Sequence, residues 1–324
     1  MNLTTRHVLA AASAAYLLLT PPAAPQAVGG EASSPGKASF HIRSFGATGD
    51  GRTVNTAAVQ KAIDARHATA ADTAWQEPVD VEFTARVDGS KQRYVLMTPA
   101  GFDAGKPVDI VLALHGHGSD RWQFVRQPRD ECRGLRDVAA RYGMLFIAPD
   151  YRAKTSWMGP KAEADVLQIL DEVRRQYRVR HTLVAGGSMG GTAALTFAAL
   201  HPDRVDGVVA LNGTANLVEY RGFQAAIAES FGGTKEAIPA EYKQRSAELR
   251  SEQLTMPMAA TVGGRDRSVP PESVRRLFET LRRQARTVRL IDRPEGGHST
   301  NYADTVEATE FVVKAVRGKA APSP

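Results

Sequence analysis

One hexapeptide, Gly186-Gly187-Ser188-Met189-Gly190-Gly191, constrains the chain more than any other stretch. It follows the apolar run Thr182-Leu183-Val184-Ala185 and leads into the alanine-rich residues 192–200, so the pattern predicts strand, tight turn and helix. A turn that sharp strains the Ser188 backbone and exposes its hydroxyl. The residues two before and two after must then lack a side chain. Gly186 and Gly190 meet that demand. A helix starting just after Ser188 also aims free N–H groups, and the positive end of its dipole, at the place where an oxyanion would form. The competing reading, a phosphate-binding turn, fits poorly. The register offers neither Gly-x-Gly-x-x-Gly nor a Lys-Ser/Thr pair closing the loop.

Strand and helix patterns alternate on both sides of this turn. Residues 108–114 form a continuous apolar run, as in a strand buried on both faces, and end at His115-Gly116-His117-Gly118. Further strands are predicted at 144–148, 207–211, 258–262 and 287–291, with helical periodicity up to Tyr142 and over 162–177, 272–285 and 303–316. Residues 81–87 and 93–97 flank Asp88-Gly89-Ser90 as a hairpin. The expected fold class is therefore α/β, a mostly parallel doubly wound sheet with helices on both faces. Residues 215–254 lose the alternation and read either as a lid or substrate-selecting insertion or as a plain helical connector. The loop 149–160, with Tyr151, Trp157 and Met158, lies after a strand and is expected to touch substrate or to be surface packing.

Two later strand ends carry matching chemistry. Gly263-Gly264-Arg265-Asp266 offers an acid able to fix the tautomer of a histidine, and Pro294-Glu295-Gly296-Gly297-His298-Ser299 carries His298 on a glycine turn. Alone, Asp266 reads as a turn former and His298 as a surface histidine. Together with Ser188 they give the order serine, acid, histidine, each after a separate predicted strand. This resembles the α/β-hydrolase superfamily over residues 80–316, and not the chymotrypsin or subtilisin order. The resemblance implies a serine hydrolase in which Ser188, Asp266 and His298 are catalytic and the backbone N–H groups of His117 and Met189 form the oxyanion hole. The hairpin followed by Tyr94-Val95-Leu96-Met97-Thr98-Pro99 is similar to polysaccharide (acetyl or feruloyl) esterases and to prolyl-oligopeptidase-type catalytic domains.

No cofactor or metal is required by that chemistry. His115 and His117 also have a metal-ligand spacing, but no further His, Asp, Glu or Cys cluster accompanies them. Prolyl-oligopeptidase-type peptidases carry a large N-terminal propeller, whereas only the segment 28–77 stands between the first stretch and this domain. The expectation is therefore an esterase acting on an ester substrate, with plant cell-wall polysaccharide the candidate. A serine peptidase is the alternative, and an inactive binding protein on the same fold the reading of another class.

The N-terminal end reads as a targeting segment. Arg6 and His7 precede the apolar run 8–19 and a Pro/Ala-rich stretch to Ala27. At about a dozen residues, the run is short for a bilayer span, so residues 1–27 are expected to be a signal peptide, the protein secreted or periplasmic, and no stable membrane insertion is expected. Residues 28–39 are a linker by composition. Residues 40–77 open with Phe40-His41-Ile42-Arg43-Ser44-Phe45-Gly46-Ala47-Thr48-Gly49-Asp50-Gly51, which resembles the N-terminal cap of pectinase and pectate-lyase β-helix enzymes. No coil repeats follow, and Val54-Asn55 stands where that family has acidic residues, so none of its catalytic groups carries over. Residues 78–318 are the expected catalytic domain. The formal charge of +6 is spread along the chain, with Arg275, Arg276, Arg282 and Arg283 on the outer side of one helix, so no nucleic-acid partner is expected. Cys132, the only cysteine, excludes an internal disulfide and reads as a structural residue.

Overall fold

The computed structural model describes residues 75–318, so the expected signal segment, the linker and nearly all of the segment 40–77 lie outside the described residues. The core follows from the strand sequences. In β3 (Val108–Leu114) every residue is buried, and its period-2 alternation serves two separate cores. Ile110, Leu112 and Leu114 enter one, and Val111 and Ala113 the other. Each such fully buried aliphatic chain contributes roughly 2 kcal/mol of transfer free energy.

Seven further strands share one sheet with β3, which itself pairs with β4 and β5: β1 (Val79–Thr84), β2 (Lys91–Met97), β4 (Leu145–Pro149), β5 (Val179–Gly187), β6 (Gly207–Leu211), β7 (Met258–Gly263) and β8 (Val288–Arg293). The order is β1-β2-β4-β3-β5-β6-β7-β8. β1 and β2 run antiparallel at one edge, and β4, β3 and β5 to β8 are parallel. The sheet is open, as expected. β1 stops at Thr84, short of the predicted Val87, because Ala85 and Ser90 already close the turn by a backbone bond of 2.8 Å.

The helices are α1 (Gln123–Arg126), α2 (Asp130–Arg141), α3 (Pro160–Gln176), α4 (Met189–Leu200), α5 (Gln224–Phe231), α6 (Pro239–Gln244), α7 (Glu272–Arg283) and α8 (Tyr302–Gly318). α2 and α8 cover one face of the sheet, and α3, α4 and α7 the other. α4 carries no charged residue (Met-Gly-Gly-Thr-Ala-Ala-Leu-Thr-Phe-Ala-Ala-Leu) and is buried on all sides from Met189 to Ala199. α7 is the opposite case. Val274, Leu277, Phe278 and Leu281 face inward, while Arg275 pairs with Asp292 (2.7 Å) and Arg276 with Glu248 (2.5 Å) and Glu219 (2.6 Å). Buried Asp109 on β3 is clamped by Arg180 (2.8 Å), His181 (2.9 Å) and Arg317 of α8 (2.8 Å), tying the last helix to the central strands. Cys132 is buried in α2, and burial pushes its thiol up to about 12. No helix among the described residues is long and apolar enough to cross a membrane.

Six parallel strands, β3 to β8, release their C-terminal ends on one edge of the sheet, where an open α/β sheet has its binding crevice.

Candidate active site

Ser188 sits between β5 and α4 with φ 57° and ψ −119°, outside the regions an L-residue favours. Packing on both sides enforces that conformation. A Cβ on Gly186 would meet the Gly190 backbone at 2.5 Å, and one on Gly190 would meet the Leu114 carbonyl oxygen at 1.9 Å. The turn is held from β6 as well, since the Ser188 N–H donates to the Leu211 carbonyl at 2.8 Å.

The other two sequence-predicted side chains converge on it. Ser188 Oγ lies 2.9 Å from His298 Nε2, and His298 Nδ1 lies 2.6 Å from Asp266 Oδ2. A carboxylate only accepts, so Nδ1–H donates to Asp266 and Nε2 is left to accept the serine proton. The second oxygen of Asp266, Oδ1, accepts the N–H groups of Ser268 and Val269, each at 2.9 Å. With the carboxylate nearly buried and both oxygens engaged, its orientation toward His298 is fixed. The histidine loop is pinned on both flanks. Asn212 Nδ2 reaches the Gly297 carbonyl (3.4 Å), and the Thr300 hydroxyl meets that of Thr261 (2.6 Å) and Asn212 Oδ1.

His117 and Met189 border the same place. Met189 is the first residue of α4, and His117 lines the cleft with Ser188. Among the described residues no acceptor meets either backbone N–H. The His117 ring leans on Phe223 (centroids 4.3 Å apart), and its Nδ1 accepts the indole N–H of Trp157 at 3.1 Å. Burial lowers its pKa below the ordinary histidine value. His115 turns elsewhere, its nitrogens against the carbonyls of Gly116 (2.9 Å) and Asp150 (3.1 Å). Among the described residues no group of three or more His, Cys, Asp or Glu side chains is arranged to hold a metal.

Ser188 and His298 open onto a cleft of about 450 Å³. Its wall is mostly polar, with Ser119, Gln123, Gln127, Asn212 and Thr300, joined by Arg129 and Glu131, an ion pair at 2.7 Å. Phe223 is the aromatic side, 42% exposed. It comes from the 215–254 segment, which thus contributes one residue to the wall. Sequence reading missed the segment 123–131 and Asn212, although both follow strand C-termini. It also misplaced Tyr151, Trp157 and Met158: all three are buried and none lines the cleft. Trp157 backs the His117 ring of the cleft wall, and the Tyr151 hydroxyl donates to the His115 carbonyl.

Fold and site together define an α/β-hydrolase of the serine type. The model of the prolyl oligopeptidase family (Peptidase_S9) matches residues 148–315, just over half of the chain, and the chain belongs to that family. No curated protein sequence matches it. Among solved structures it is similar to an acylaminoacyl peptidase from Pyrococcus horikoshii (TM-score 0.60, 13% identity), covering 78% of this chain and 43% of the peptidase. It is also similar to a ferulic acid esterase (TM-score 0.56, 18% identity), covering 74% of this chain and 98% of the esterase. A fluorophosphonate-binding serine hydrolase from Staphylococcus aureus gives the same TM-score, 0.56, at 17% identity, with 74% and 98% covered. This chain thus spans less than half of the peptidase it resembles.

Proposed function

We propose that this serine hydrolase cleaves carboxylic esters through an acyl-enzyme on Ser188, on ester-substituted polysaccharide. Ser188 Oγ attacks the acyl carbon as His298 takes its proton, and Asp266 stabilises the imidazolium. The His117 and Met189 amides hold the oxyanion. His298 then protonates the departing alkoxide. Water, deprotonated by His298, releases the acid and restores the serine.

The polar wall of the cleft carries the choice of substrate. Side-chain amides and hydroxyls at Ser119, Gln123, Gln127, Asn212 and Thr300 suit a hydroxyl-rich alcohol, with Phe223 offering a flat face to an aryl acyl group or a sugar ring. An extended peptide is gripped by main-chain donors and acceptors along a strand edge, with pockets for alternate side chains. Similarity to a ferulic acid esterase over 98% of its length supports the ester reading. The apolar run 8–19 supports export, and the residues from Phe40 to Gly51 support a plant cell-wall target. The test is product release from acetyl and feruloyl polysaccharides and from proline-containing peptide amides, with Ser188→Ala as the blank. Acid release that disappears in Ser188→Ala supports the proposal, and amide cleavage alone would replace it with a peptidase.

A further inference from the structure

We propose that the His117 imidazole is a substrate-binding donor, locked as the neutral tautomer with its proton on Nε2, that grips an oxygen of the bound acyl compound beside Ser188. The inference rests on the serine-hydrolase reading and not on the choice of ester.

An indole nitrogen donates and never accepts, so the contact from Trp157 Nε1 to His117 Nδ1 at 3.1 Å requires a lone pair on Nδ1. The ring proton is then on Nε2. Trp157 cannot turn away, because it is fully buried, has φ 45°, and is packed against Tyr220 (5.6 Å) and Phe223 (5.4 Å). Protonating Nδ1 would strand a buried indole N–H without an acceptor. Desolvation of the ring acts in the same direction. Among the described residues no group meets Nε2, yet His117 lines the cleft that holds Ser188 and His298. An unpartnered neutral donor at that position selects carbonyl, ether or hydroxyl oxygens and rejects cations. Since the backbone N–H of the same residue is the candidate oxyanion donor, the side chain reads a second oxygen of the substrate.

Two measurements test this. In ¹⁵N-labelled protein at pH 7, the His117 signal, assigned by its loss in His117→Gln, should show a protonated Nε2 and a bare Nδ1. A proton on Nδ1 overturns the proposal. The kinetic arm compares His117→Phe with His117→Gln, both of which keep the backbone N–H, on whichever compound of the ester and amide panel wild type turns over fastest. A failure of the ester reading therefore leaves this arm standing. His117→Phe should lower kcat/KM roughly 10- to 100-fold, and His117→Gln, which retains a neutral N–H donor, should recover most of the loss. Wild-type kcat/KM in His117→Phe, or equal losses in both variants, would overturn it.

Discussion

Gly190 approaches Leu114 so closely that the first atom of any side chain would sit 1.9 Å from the Leu114 carbonyl oxygen. The end of β3 and the start of α4 are thereby locked together, and this fixes the first turn of the helix that follows the strained Ser188 backbone. Gly190→Ala should cost more than about 4 kcal/mol in denaturant unfolding, because neither partner is a side chain that can swing aside. A variant of wild-type stability would mean that the elbow is looser than this contact implies.

In the proposed reaction the three side chains, spaced at 2.9 and 2.6 Å, work as a unit, so their losses should not add. Ser188→Ala and His298→Ala should each lower kcat by roughly 10⁴- to 10⁶-fold, and Asp266→Asn by about 10⁴-fold. The double variant Ser188→Ala/His298→Ala should be no worse than Ser188→Ala. Steady-state rates with wild-type KM would locate the effect in the chemical step.

Much of this site was legible because its residues sit where strands end. The glycine spacing around Ser188 and the order of Ser188, Asp266 and His298 are local signals read without a structure. Trp157 and its neighbours were not. Tyr151, Arg152, Trp157 and Met158 all have positive φ, and the loop holds no glycine until Gly159 to announce left-handed turns. Those turns fold Tyr151, Trp157 and Met158 inward, so a loop that reads as a substrate contact or as surface packing buries its large side chains instead. Gln127, Arg129 and Glu131 escaped for another reason. They carry no motif, and only the crossing of β3 beside β5 brings them to Ser188.

Asp109 is a buried charge whose partners lie far away in sequence. Burial alone would raise its pKa, but Arg180, Arg317 and His181 reverse this and hold it below the usual carboxylate value. Asp109→Ala removes the shared partner of β5 and α8, and thermal or denaturant unfolding should show a loss of about 3–5 kcal/mol. A loss below 1 kcal/mol, the range of exposed pairs, would show the clamp to be solvated.

Asp165 runs the other way. Burial pushes its pKa from 3.8 up to about 6, against the pull of Arg152 at 2.7 Å, and Oδ2 has no hydrogen-bond partner. Folding therefore takes up a proton in that window. The stability this group contributes is complete below its unfolded value and is lost as pH rises through about 6. The difference in unfolding free energy between wild type and Asp165→Asn should fall by up to about 3 kcal/mol as the pH is raised from acid to neutral. A difference independent of pH would mean that Asp165 titrates alike in the folded and unfolded chain.

In the proposed reaction the acyl group passes through Ser188. The most direct measurement is peptide mass spectrometry of enzyme quenched in acid during turnover of an acetyl or feruloyl ester. The expected result is the acyl group on the peptide that carries Ser188, absent from the Ser188→Ala variant together with product release. Acid release with no adduct on Ser188, or release that persists in Ser188→Ala, would contradict it.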